Sequence, residues 1–279
     1  MAIISFWSGD KKESGQTLSA AAVATLMALE HNYKVLLVDA TFNDDTMERC
    51  FWKVNANKDI TKLINKGKID ISSGAEGAVS AVASNKITPE IITNYTRVVF
   101  NRTLDVLCGL KTKIPEEFSK SLMLYKDLVA IADKYYDIVF LDLEKTLKYD
   151  TTRALLEASH LIVYNFSQNL KQMDEYTTNL IENASILKRD KIIPLLSVAD
   201  DNSKYNVKNA ARYLKEKELN EIPYNSVYKE AASEAGVAQF FIKNGLSQNS
   251  NNKNVMFANS VSETIKKIDY KLEELKYKV

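Results

Sequence analysis

Short runs of consecutive apolar residues recur along the chain. Between them lie longer stretches whose apolar positions fall three or four apart. The strand candidates are Ala2–Trp7, 34–39, 98–100, 104–108, 137–142, Leu161–Phe166 and 192–198. Runs such as Val35-Leu36-Leu37-Val38 and Ile138-Val139-Phe140-Leu141 are apolar on both faces, as strands covered by helices on either side must be. Strand and helix in alternation spell βαβ units and a mostly parallel sheet.

The helix expected over 18–30 is rich in Ala20, Ala21, Ala22, Ala24 and Ala28, side chains short enough for close packing on a sheet. Asn32 is the expected left-handed terminator, the usual substitute for glycine there. Further helices are expected over 59–66, 116–134, 171–188 and 207–219. Residues 67–83, with Gly74 and Gly77, carry no clear assignment, and 247–254 read as a polar loop. At the end, Ile265, Ile268, Leu272, Leu275 and Val279 form one stripe of an amphipathic helix over about 260–279. Five lysines (266, 267, 271, 276 and 278) against Asp269, Glu273 and Glu274 leave it at 5 − 3 = +2. Such a stripe serves membrane contact or packing on the domain; its few bulky residues favour packing. With no internal repeat and no linker, residues 1–279 read as one three-layer α/β domain.

Composition narrows the function. At 279 residues, 46% hydrophobic and 26% charged, the chain is ordinary for a soluble globular protein. Its net charge, 37 − 36 = +1, and scattered basic residues give no support for nucleic-acid binding. Cys50 and Cys108 lack metal-ligand spacing and read as reduced thiols; with no signal-like start and no long apolar window, a cytoplasmic location is expected. His31 and His160 read as structural, Trp7 and Trp52 as core or interface aromatics, and no nucleophile elbow is present.

The candidate chemistry lies in Ser8-Gly9-Asp10-Lys11-Lys12-Glu13-Ser14-Gly15-Gln16-Thr17, between the first strand and the first helix. A phosphate-binding loop reads G-x-x-x-x-G-K-[ST], its Lys reaching the β/γ-phosphates. Here Asp10 takes the place of the first Gly and Gln16 that of the Lys, while Gly15 and Thr17 match. Such a turn opening a helix is an anion site, because free N–H groups and the helix dipole face the ligand. Asp39 and Asp142 end apolar strands, where a carboxylate holds Mg²⁺ or its water. Ligands of open α/β sheets bind at that rim. Each Asp alone also fits a turn or helix cap.

Taken in this order, the motifs resemble the deviant-Walker-A P-loop ATPases of the ParA/MinD type, over residues 2 to about 270. Lys11 falls at that family's signature Lys, Gly15 at its last Gly and Thr17 at its metal-binding hydroxyl. Asp39 in Val-Leu-Leu-Val-Asp-Ala-Thr matches the Asp that positions the attacking water, and Tyr136 to Asp142 looks like the Walker B strand. Residues 155–166 resemble the family's Ala-Asp-x-apolar strand, and Ile222-Pro223-Tyr224 with Glu230-Ala231 and Gly236 its C-terminal Ile-Pro…Glu-Ala…Gly stretch. The pattern Leu104-Asp105-Val106-Leu107-Cys108-Gly109-Leu110 is similar to the CpaE/TadZ branch, which places pilus machinery.

The resemblance implies an ATP or ADP site formed by Lys11, Lys12, Gly15, Gln16, Thr17 and Leu18, with Mg²⁺ on Thr17 and Asp142 and catalysis through Asp39. It implies a homodimer in which Lys11 crosses to the partner's phosphates, and a protein partner in a membrane-associated or segregation machine, at the membrane or a cell pole. Departures from the family are Gln16 in place of the P-loop Lys, Lys12 and Glu13 in place of the paired glycines, Ser197 or a neighbour where an Asn reads adenine, and Leu143-Glu144-Lys145 without the family's Pro or Gly. Two readings stay open. One is a positioning or assembly factor with weak or absent hydrolysis; the other is an active partition ATPase in which Lys11 or Lys12 replaces the missing Lys.

Overall fold

The computed structural model describes residues 2–9, 14–54, 74–247 and 251–276. Eight strands form one sheet in the order β3-β4-β2-β5-β1-β6-β7-β8. They are β1 (Ala2–Trp7), β2 (Val35–Ala40), β3 (Arg97–Phe100), β4 (Leu104–Leu107), β5 (Ile138–Leu143), β6 (Leu161–Phe166), β7 (Ile192–Ala199) and β8 (Asn220–Pro223). All neighbours run parallel except the edge strand β3, which pairs antiparallel with β4.

The continuous apolar runs do what their pattern requires, because every residue of β1, β2, β5 and β6 is buried. Alternate side chains enter two separate cores: Leu36, Val38, Val139 and Leu141 on one face, Val35, Leu37, Ile138 and Phe140 on the other. The first face is covered by α3 (Gly74–Ala83), α4 (Pro115–Leu122), α5 (Tyr125–Ala132), α6 (Asp150–Ala158), α7 (Leu170–Glu182) and α8 (Val207–Leu214). The second is covered by α1 (Gln16–Glu30), α2 (Thr46–Phe51), α9 (Ser226–Ser233), α10 (Val237–Asn244) and α11 (Lys253–Lys276). This is a three-layer α/β fold. The alanines of α1 are buried, as close approach to the sheet demands.

Several expectations need correction. Gly74–Ala83 is a helix that buries Ala75, Ala78 and Ala81 together with Val79 and Val82. Residues 116–134 hold two helices: at Met123 and Leu124 the backbone stays helical, but Leu124 bonds to Ser121, tightening one turn. Helix α1 ends at His31 in extended conformation, and Asn32 is not left-handed. Helix α8 stops early because Lys215 adopts a left-handed conformation (φ 56°) in a closing turn, which frees Asn220–Pro223 to become the edge strand β8. The helix expected over 59–66 lies outside the described residues.

The terminal stripe packs on the domain. Ile265 and Ile268 are fully buried against the α1 side of the sheet, and Leu272 and Leu275 pack on the same core. Val279 and Lys278 lie outside the described residues. Among the described residues, no helix is long and apolar enough to cross a membrane.

Candidate nucleotide site at the β1–α1 turn

Gly15 caps α1 with a left-handed backbone (φ 69°, ψ 7°). A side chain there would be strained twice over, since a Cβ would also come within 2.7 Å of Ser197 Cβ and 2.8 Å of Val198 Cγ2. Gly15 therefore rests directly on the end of β7. Gln16 and Thr17 form the first turn of α1 and are buried. Lys11 and Lys12, with Asp10 and Glu13, lie outside the described residues.

The sheet brings the two carboxylates together. Asp39 of β2 and Asp142 of β5 are direct partners in the parallel register, and Asp142 is likewise opposite Phe6 of β1, just before the loop. Asp39 Oδ1 accepts from the Thr41 backbone N–H (3.0 Å) and hydroxyl (2.7 Å). Gly109, beyond β4, closes over it: a Cβ there would lie 2.7 Å from Asp39 Oδ2.

Asp142 Oδ1 accepts from the Gln16 side-chain amide at 2.6 Å, and the same nitrogen donates to the Leu143 carbonyl at 2.7 Å. The residue at the loop's cation position is thus turned down onto β5. Thr17 lies close enough to lower the Asp142 pKa, yet its hydroxyl stands outside hydrogen-bond geometry.

Both carboxyls are fully buried and hard to ionise. Desolvation first, then the charge of Asp142, pushes Asp39 up to about 8 against the pull of its Thr41 bonds. Desolvation pushes Asp142 up to about 6, opposed by Thr17, Gln16 and the Lys145 charge. Four buried atoms here, Ser14 Oγ, Gln16 Oε1, Thr17 Oγ1 and Asp142 Oδ2, have no hydrogen-bond partner among the described residues.

Other site expectations resolve differently. Leu18 packs on the core and its carbonyl accepts from the Tyr228 hydroxyl at 2.7 Å, a tie between α1 and α9. Ser197 is fully buried, bonded to Asn165 (3.0 Å) and Ser19 (3.2 Å) beneath the loop, so it is not the residue turned outward. That residue is Val198, 41% exposed and at φ 56° in an irregular pairing of β7 with β8. A β-branched residue in that region is a rare, strained conformation. Glu144 links the two loops beyond the carboxylates: it accepts from the Phe42 N–H (2.9 Å), and its carbonyl accepts from Trp7 Nε1 (3.1 Å). Sequence reading gave no role to Ser14, Thr41, Gly109 or Lys145, although the first three stood inside motifs it used, and it left Val198 only as a neighbour of Ser197.

His160 is structural, its Nδ1 accepting from the Ile3 N–H at 2.9 Å. Cys50 and Cys108 are free and buried, each thiol pushed up to about 12 by desolvation. A cleft of about 470 Å³ between α11 and the starts of β7 and β8 lies at the opposite end of the strands. Its charges largely answer one another, Arg189 with Glu216 and Lys267 with Glu218, so the chemistry stays with the β1–α1 rim.

A parallel sheet with a Gly-capped loop opening α1 and paired carboxylates at the strand ends defines a P-loop-type α/β fold. It is the fold of the ParA/MinD ATPases. A ParA family ATPase from Chlorobium tepidum TLS superposes with a TM-score of 0.68 at 16% identity, over 97% of this chain and 98% of that one. The septum site-determining protein MinD from Pyrococcus horikoshii OT3, complexed with Mg-ADP, gives 0.67 at 16% identity over 100% and 99%. A putative plasmid partition protein from Borrelia burgdorferi B31 bound to AMPPNP gives 0.63 at 18% identity over 95% and 98%. No protein-family model matches the sequence, and no curated protein matches it.

Proposed function

We propose that this chain is a ParA/MinD-like positioning or assembly factor of the cytoplasm, which binds ATP or ADP with Mg²⁺ at the β1–α1 turn and hydrolyses it weakly or not at all. The observation that carries the reading is the group of four partnerless buried atoms around Gly15 and Asp142. Buried polar atoms cost free energy unless they are met, and a phosphate with its metal would meet them. Thr17 and Asp142 offer the hydroxyl and carboxylate that would hold Mg²⁺, and Ser14 and the free N–H groups of α1 would donate to phosphate. The metal would supply neutralisation of the phosphate charge. Solved neighbours complexed with Mg-ADP and bound to AMPPNP support a nucleotide ligand.

Weak turnover follows from Gln16. A neutral amide tied to β5 does not stabilise charge developing on a transferred phosphoryl group, a loss of about 2.7–4 kcal/mol by comparison with other preorganised donors. Asp39 would position the attacking water in an active relative. By resemblance, the chain works as a homodimer with Lys11 reaching across, alongside a protein partner in a membrane-associated or segregation machine such as pilus assembly. Calorimetric titration with Mg-ADP and Mg-ATP, followed by sizing and a phosphate-release assay, tests this. Binding with background turnover is expected. Turnover abolished by Asp39→Ala would instead establish the active partition ATPase, and flat titrations would remove nucleotide altogether.

A further inference from the structure

Resting on that nucleotide reading, we infer that Gln16 makes the pocket indifferent to a third phosphate, so that a nucleoside diphosphate binds at least as tightly as the triphosphate. In a phosphate-binding loop the backbone cradles the α/β-phosphates, and the Lys is what reaches the β/γ pair. Gln16 occupies the Lys position, carries no charge, and spends its amide nitrogen on Asp142 Oδ1 and the Leu143 carbonyl. Its remaining atom, Oε1, is an acceptor without a partner, which repels phosphate oxygen as readily as it accepts a water.

The β2–β5 side supplies no cation in place of that Lys among the described ion pairs. What the strands offer there is Asp39 beside Asp142, two buried carboxyls in register. Among the described residues neither forms an ion pair with Lys or Arg. Among the described residues, the donors that remain, the Ser14 hydroxyl and the α1 N-terminus, belong to the cradle of the inner phosphates. A third phosphate therefore gains no cation from position 16, whose only amide nitrogen is already spent on β5.

Isothermal titration of Mg-ADP and Mg-AMPPNP into the wild-type chain, Gln16→Lys and Gln16→Met tests the inference, with melting curves as a check on folding. The wild type is expected to bind ADP as tightly as AMPPNP or more so. Gln16→Lys is expected to shift the ratio at least tenfold toward AMPPNP. Gln16→Met, equally neutral but unable to bond Asp142, should keep the wild-type ratio. A wild type that prefers AMPPNP tenfold, or a ratio left unmoved by Gln16→Lys, overturns the inference. A silent wild type beside a binding Gln16→Lys also overturns it while sparing the pocket. Silence from all three chains overturns the nucleotide reading itself.

Discussion

The Gln16 amide and the Asp142 carboxylate, 126 residues apart in sequence, meet at 2.6 Å and fasten the first turn of α1 to the end of β5. The glutamine is held against the sheet by a second bond to the Leu143 carbonyl. The same substitution that removes a charge from the loop thus adds a structural tie beneath it.

Replacing Gln16 by Ala should destabilise the fold by about 1–3 kcal/mol, because a buried carboxyl and a buried carbonyl both lose a donor. Since Gln16 lowers the Asp142 pKa, its loss should raise that pKa further. Urea unfolding of the two chains at neutral pH measures the difference. An unchanged midpoint would mean that water replaces the amide without cost.

Asp39 predicts the pH dependence of stability. Its carboxyl rises from 3.8 to about 8 on folding, so between these values the unfolded chain releases a proton that the folded chain retains. Stability is fully present below the unfolded value and falls as pH rises through the folded one. Asp142, raised to about 6, acts in the same direction over the lower half of that window. Asp39→Asn can keep the Thr41 bonds while removing the charge. It should flatten the decline above pH 6 and stabilise the protein at pH 9 by on the order of 2 kcal/mol. Melting temperatures from pH 5 to 9 decide it; parallel curves for the two chains would be the contrary result.

How much of this could be read from the residues depended on whether the signal was local. Strands β2, β5 and β6 are continuous apolar runs, and a run buried on both faces announces itself. The edge strand β8 has one buried residue, Ile222, among polar neighbours, and gave no such signal. Helix α3 was obscured because Gly74 and Gly77 read as breakers, although its other positions bury Ala75, Ala78, Val79 and Val82. At the site, Asp39, Asp142, Gly15 and Thr17 were legible because strand ends and loop spacing fix them. Where Gln16 points was not, since it depends on two hydrogen bonds across 126 and 127 residues of chain. Gly109 was hidden for the same reason: its closeness to Asp39 follows from the pairing of β2 with β4.

Two substitutions beside the site should act in opposite directions. Gly109→Ala drives a methyl to 2.7 Å from Asp39 Oδ2, a buried atom with little room to retreat, and should cost about 1–3 kcal/mol. Val198→Gly relieves a β-branched residue at φ 56°, 41% exposed, and should add roughly 1 kcal/mol. Chemical denaturation of both variants checks the pair. A destabilised Val198→Gly would show that the valine's contact over Gly15 outweighs its backbone strain.

The terminal helix supplies the last prediction. Ile265 and Ile268 are fully buried, and α11 lies along α1 and β8, so the apolar face that a membrane would take is already covered by the domain. Exposing it to lipid would first require uncovering those side chains, at roughly 1.5–3 kcal/mol for each fully buried one. Ile268→Ala should therefore cost about 2–5 kcal/mol in unfolding free energy, the range of a core cavity, where a membrane-facing residue would cost little. The intact chain should stay in the supernatant when spun with vesicles containing anionic lipid. Sedimentation of most of the protein with those vesicles, together with an Ile268→Ala variant of unaltered stability, would show that the helix leaves the domain and that its packing is not what holds it.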